Sequence, residues 1–269
     1  MKDATRSAIK GYLEGFIQGM MEQISSSGLD PKKLRPPRLR SKEGDLKPFH
    51  EAILPDGILR IQEFERSFST KLGTTFEEVA RLIGAERFAV AQRGYEMTGS
   101  VSAGATARID AIINDVKRKG EVQAPFPELI VQVVAKAAGD GTIRTSIADL
   151  YLKSHEGKEY FFEMKSPKPN KGQCLEATAR LLQIHAIKRR PRPSVNAYFA
   201  MAYNPYGTRK EYRHSFALNY MDFENQVLVG PEFWELVGGK GAYDEVLAVY
   251  REVGIAKGPK MLDRLALGY

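Results

Sequence analysis

The segment TSIADLYLKSHEGKEYFFEMKSPKPNKGQ, residues 145–173, holds two short runs of aliphatic and aromatic residues joined by a polar turn. Such runs, bounded by Ser, Gly and charged residues, read as two antiparallel strands of a hairpin. If the turn centres on Glu156, Asp149 falls opposite Glu163. Because side chains alternate along a strand, Glu163 and Lys165 share a face and Asp149 joins them. The other face then carries Ala148, Leu150 and Leu152 with Tyr160, Phe162 and Met164, which is core-like. Two carboxylates facing each other across strands repel, so the pair calls for positive charge. Lys165 supplies one unit, and a divalent cation would supply more. Oxygen donors of this kind suit Mg²⁺, which takes one or two carboxylates and completes its shell with water and phosphate oxygens. A metal–lysine pair beside a phosphate serves phosphodiester hydrolysis. The plain alternative is a surface ion pair on a solvated sheet face, which contributes little.

Outward from the hairpin, residues 172–188 form a helix with Leu175, Ala179, Leu182 and Ala186 along one stripe. SVNAYFAMAYN reads as the next strand, NQVLVG as a candidate strand, and PEFWELVGG and AYDEVLAVYREVG as closing helices. Upstream, residues 4–26 form an amphipathic helix with Ile9, Leu13, Phe16, Ile17, Met20 and Met21 near one face, and Gly28 is placed to stop it. Residues 31–42 carry six basic residues, three prolines and no acid, which makes an extended basic connector, either a solvated linker or an arm on DNA. Residues 54–84 read as two helices divided at Gly73, the second opening with Glu77 and Glu78, where the helix dipole favours negative charge. A helix is expected over 104–118, ending near Gly120. PELIVQVVAKAAG leaves helix and strand open. Strands interleaved with helices indicate an α/β domain, a central mixed β-sheet flanked by helices, over residues 46–269, with residues 1–45 as an N-terminal helix and connector.

The 269-residue chain is 43% hydrophobic and 27% charged, a globular balance that excludes wholesale disorder. Its net charge of +7 and pI of about 9.3 suit a polyanionic partner. Cys174 is the only cysteine, so no intrachain disulfide forms and a reducing compartment, the cytoplasm, is the simple expectation. No stretch approaches a membrane span. Neither GDGTIR nor VGGKGAY matches a phosphate-binding loop, and His50, His155, His185 and His214 lack zinc-ligand spacing.

Asp149 followed by Glu163-Met164-Lys165 resembles the signature of the PD-(D/E)XK nucleases, although no proline precedes Asp149. FERSFSTKLGTTFEE, IADLYL, FFEMKSPKPNKGQ and PEFWELVGG together resemble the TdeIII/MjaII-like type II restriction endonucleases, over roughly residues 46–240. That resemblance implies the restriction-endonuclease-like fold and Mg²⁺-dependent cleavage of double-stranded DNA at a short palindrome, of the GGNCC or GGCC kind. It implies Asp149 and Glu163 as metal ligands with the carbonyl of residue 164, Lys165 as the group that positions water, and Glu77, or its neighbour Glu78, as the acid of the upstream helix. It implies 5′-phosphate products, a homodimer with the N-terminal helix as a candidate interface, and a cognate methyltransferase. Lys168, Asn170, Lys171 and Gln173 follow the signature directly and become candidate DNA contacts, with Gln173 near the scissile phosphate. Arg189, Arg190 and Arg192 in KRRPRP are a second candidate set, suited to guanine edges or phosphates; NPYGTRKEYRH, residues 204–214, raises the same question. Two further readings remain: a repair or junction-resolving nuclease of the same fold, and a non-catalytic DNA-binding protein.

Overall fold

The computed structural model describes residues 1–23, 34, 40, 42, 46–192 and 194–267. Most of the basic connector, Gly28 and Pro193 lie outside the described residues. The chain divides into two compact units. One comprises Met1–Lys2 with Phe76–Glu245, the other Asp3–Thr75 with Val246–Tyr269; the expected division at residue 45 follows composition rather than contacts.

The larger unit is built on five strands in the order β1-β2-β3-β4-β5: β1 Val90–Ser102, β2 Gly141–Lys153, β3 Glu159–Met164, β4 Val195–Met201 and β5 Val227–Val229. Antiparallel pairing joins β1 to β2 and β2 to β3, and parallel pairing joins β3 to β4 and β4 to β5. It is therefore the expected mixed α/β sheet. Helices α4 (Ala103–Lys119), α5 (Phe126–Val134) and α6 (Lys171–Lys188) bury one face, in a core that includes Ile109, Phe126, Leu181, Tyr151, Phe161 and Phe199. The apolar run that left helix and strand open is thus α5. Gly120 ends α4 in the left-handed conformation, as its position suggested.

The hairpin register is the one its turn dictates. Leu150 pairs with Phe162 and Lys153 with Glu159, which centres the turn on Glu156 and sets Asp149 against Glu163 one step beyond the last bonded pair. Beyond that point β2 leaves β3 and continues with β1 alone.

β1 was not foreseen. Its residues are mostly weak strand formers, and it breaks the alternation by which strands are recognised. Arg93 points to α3 (Asp56–Gly84), reaching Glu77 and Glu78, whereas Tyr95 stacks on Tyr151 on the other side, with ring centroids 4.0 Å apart. Two residues that strict alternation would place together face opposite ways. The switch occurs at Gly94, whose φ of +55° is accessible to glycine without strain. The partner strand switches with it: Leu152 lies against Gly84 of α3, while Ala148 joins the core under α6. Ala148 therefore does not share a face with Leu150 and Leu152, contrary to the sequence expectation. Asp149 sits opposite this switch.

Helix α3 runs unbroken through Gly73. Nothing lies within 4 Å of where a Cβ would stand there, so the residue read as a divider is an ordinary helical glycine in a segment long enough to absorb it. In the smaller unit, α1 (Asp3–Gln23) buries Ile9, Leu13, Ile17, Met20 and Met21. That stripe is consumed by the chain's own fold and is not free to form a dimer contact. Phe16 meets Phe68 at 5.7 Å, and Thr75 bonds to the Tyr250 hydroxyl at 2.8 Å. Exposed apolar side chains of this unit include Phe49 and Ile53 of α2 (Pro48–Ile53), Ile58 and Ile61 of α3, and Ile255 and Leu262 near the C-terminus.

Candidate active site

Four elements of the larger unit supply the charged cluster. From β2, Asp149 presents Oδ2 to the Met164 N–H at 2.6 Å and lies 3.6 Å from Lys165 Nζ. From β3, Glu163 is buried, with 2% of its surface exposed, and accepts from Lys165 Nζ at 2.6 Å. Arg180 of α6 donates Nη1 to both Glu163 oxygens, at 2.9 and 2.8 Å, and Nη2 to Glu176 at 2.9 Å. From α3, Glu77 accepts from Arg93 Nη2 at 3.0 Å.

The electrostatics sort these groups. Burial pulls the Lys165 ammonium down, but the hydrogen bond to Glu163 and the charges of Asp149 and Glu163 outweigh it and hold its pKa above the ordinary value. Beside these two acids Lys165 is a cation at neutral pH. Glu77 is pushed up, first by burial and further by the charge of Asp149, against the opposing pull of Arg93. Glu78 is held below its ordinary value, first by its hydrogen bonds to Arg81. Of the two helix acids, Glu77 senses Asp149 and Lys165, and Glu78 pairs with Arg81 of its own helix and with Arg93 of β1.

Does this donor set fit a divalent cation? Two carboxylates converge from adjacent strands, and the cluster already draws positive charge onto itself through Lys165 and Arg180. All-oxygen donors with one or two carboxylates suit Mg²⁺. Among the described residues no group of three or more His, Cys, Asp or Glu side chains stands ready as a metal cage, so Glu77 is a neighbour of the carboxylate pair rather than a third corner. The residues fit one ion held mainly by Asp149 and Glu163.

The flanking candidates divide. Lys168 is exposed and lies over the Tyr206 ring; Lys171 lies over Tyr220. Asn170 and Gln173 close the α6 N-terminus as a capping box, each side chain bonding the other's N–H at 2.9 Å, so their first task is local. The carbonyls of Pro167 and Pro169 contact Tyr212 and His214, which fixes the segment that follows Lys165. At the far end of the 18-residue α6, roughly 27 Å along its axis, Arg189 caps the helix in the left-handed conformation and Arg190 is exposed. Arg192 is otherwise engaged. It stacks on Tyr198 at 4.5 Å and Phe126 at 5.7 Å and donates to the Ala197 carbonyl, so it is a packing residue rather than a free hand for DNA.

Arg93 and Arg180 escaped the sequence reading. For Arg180 a signal existed: it follows Glu176 by one helical turn on the helix after the acid–x–Lys strand. A groove of about 650 Å³ opens beside it, lined among others by Asp110, Arg144, Ser146, Glu176 and Gln183.

The family model of the HinfI type II restriction endonucleases matches residues 5–254. The chain belongs to the HinfI family. Curated relatives extend the likeness over nearly the whole length. The type II restriction enzymes HgiBI and HgiEI of Herpetosiphon aurantiacus are each 43% identical over 268 residues, covering 97% of both chains. HgiCII of the same organism is 43% identical over 266 residues at the same coverage. The HinfI-family chain is accordingly a hydrolase of the restriction endonuclease class. The family matched is HinfI rather than the TdeIII/MjaII-like group that the motifs resembled; the two readings agree at the level of type II restriction endonuclease. Among the described residues no helix is long and apolar enough to cross a membrane.

Proposed function

We propose that this chain is a site-specific endonuclease of the PD-(D/E)XK kind that hydrolyses double-stranded DNA at a short palindrome with Mg²⁺. The observation that carries the reading is the convergence of Asp149, Glu163 and Lys165 where β2 parts from β3, in a chain of a restriction-endonuclease family. Asp149 and Glu163 would hold the ion, with the Met164 carbonyl beside them. A bound Mg²⁺ supplies charge neutralisation at the phosphate and acidifies water. Lys165 orients the attacking water. Glu77 adds negative charge from α3, suited to a second ion. Water attacks phosphorus in line and the P–O3′ bond breaks, leaving a 5′-phosphate and a 3′-hydroxyl.

Lys168 and Lys171 follow Lys165 closely in the chain and are assigned to the backbone of the bound strand; Arg189 and Arg190 form a separate basic site. A palindrome is read symmetrically by a two-fold dimer, so a homodimer is part of the proposal. A methyltransferase protecting the same GC-rich site, of the GGNCC or GGCC type, is its expected functional partner, and the cytoplasm its expected place.

The test is incubation of unmethylated plasmid with the protein and with Lys165→Ala, with and without Mg²⁺. Discrete fragments that need Mg²⁺, and that the variant forms roughly 10²–10⁴-fold more slowly, support the reading. Structure-dependent nicking without sequence preference, or DNA binding indifferent to Mg²⁺ and to the substitution, would replace it.

A further inference from the structure

Glu163 has no free oxygen. Arg180 Nη1 bonds both of them, Lys165 bonds one, and the carboxylate is enclosed. The other arm of the same guanidinium rests on Glu176, an exposed acid one turn earlier on α6, in the wall of the groove that also carries Arg144 and Gln183. Arg180 thus bridges an acid in the interior and an acid at the surface. We propose that Arg180 is a displaceable counter-cation: it occupies Glu163 when no divalent ion is bound, competes with that ion for the carboxylate, and moves to Glu176 and the groove when the ion enters. The inference rests on the reading of Asp149 and Glu163 as the metal-holding pair.

Charge explains why something must move. Asp149 and Glu163 are balanced by Lys165 and Arg180 as they stand. A doubly charged ion brought between the carboxylates leaves two positive charges in excess in a half-buried cluster, where the repulsion of like charges is poorly screened. Both acids that the Lys165 ammonium meets, Asp149 and Glu163, lie in the cluster. Arg180 alone already holds a second acid outside it. Its shift leaves Glu163 open to the ion and sends one positive charge to the groove wall, where a DNA phosphate would meet it. Metal and DNA then assist each other through one side chain, a coupling that must act in both directions. Arg180 is a positioning residue in this scheme, acting through Glu163.

The deciding measurement is Mg²⁺ binding to the whole DNA-free chain by isothermal titration calorimetry, which needs no turnover. Arg180→Gln removes the competitor and should bind Mg²⁺ about tenfold more tightly than the native chain. Glu176→Gln removes the alternative seat, leaves Arg180 on Glu163, and should bind several-fold more weakly. The exposed Glu176 site keeps the second arm informative should Arg180→Gln fail to fold. Asp149→Asn serves as reference and should abolish binding. Unchanged or weaker affinity in Arg180→Gln, or unchanged affinity in Glu176→Gln, overturns the counter-cation role while the metal-holding pair stands. If Asp149→Asn leaves Mg²⁺ binding intact, the pair itself is misread and the inference goes with it.

Discussion

Glu77 illustrates how one carboxylate can weigh on both stability and activity. Its pKa is raised, first by burial and then by Asp149, so the folded state binds its proton more tightly than the unfolded chain does. That contribution to stability is complete below the unfolded carboxylate range and is lost as pH rises through the folded value. Glu77→Gln cannot ionise and escapes the loss. Its stability relative to the native chain, followed by urea unfolding, should therefore improve between pH 4.5 and pH 7, while cleavage falls at least tenfold. A relative stability that worsens over that interval would mean that Arg93 outweighs burial and that Glu77 is a structural ion-pair partner. The residues of this cluster were unequally legible. Asp149, Glu163 and Lys165 could be read together because a strand repeats every two residues and a short turn fixes the register. Arg180 reaches Glu163 across 17 positions, along a helix whose crossing over the sheet no local pattern encodes.

Elements show the same contrast between local and non-local control. Asn170 and Gln173, read in the sequence as DNA contacts, form the capping box of α6, whereas α6 itself follows from its apolar stripe and Val195–Met201 follows from its composition. β1 does not, because the phase switch at Gly94 cancels the alternation that identifies a half-buried strand. The switch carries its own test. Gly94→Ala meets no steric obstacle, but it forces a side chain into a left-handed conformation at a cost of about 1–2 kcal/mol. Urea unfolding should register that loss. Cleavage should fall further than stability, because β1 fixes the backbone opposite Asp149. Retained activity with full loss of stability would separate the switch from the site. Gly73 gives the opposite sign. It lies inside α3 with open space around it, so Gly73→Ala should stabilise by about 0.5–1 kcal/mol. A loss instead would indicate the helix break that the sequence suggested and the structure lacks.

Over the whole molecule, the excess of positive charge is the property that composition announces, yet composition does not say which cations face DNA. KRRPRP and SPKPNKGQ are both basic in the sequence, with four and two basic residues, and those residues lie at opposite ends of α6 in the structure. Within the first, Arg192 is stacked against Tyr198 and Phe126, and burial lowers its pKa; within the second, Lys168 and Lys171 stand over the rings of Tyr206 and Tyr220. Counterion release makes this difference measurable, because each phosphate contact steepens the fall of log affinity with log salt by about 0.9. Lys168→Ala and Lys171→Ala should each flatten that slope by about one contact and weaken binding across DNA sequences alike. Arg192→Ala should leave the slope unchanged and appear instead as lost stability, on the order of 1 kcal/mol for the stacking removed. A slope that responds to Arg192→Ala and not to the lysines would move the DNA path to the C-terminal end of α6. It would also take the carboxylate cluster off that path, and with it the role proposed for Asp149, Glu163 and Lys165.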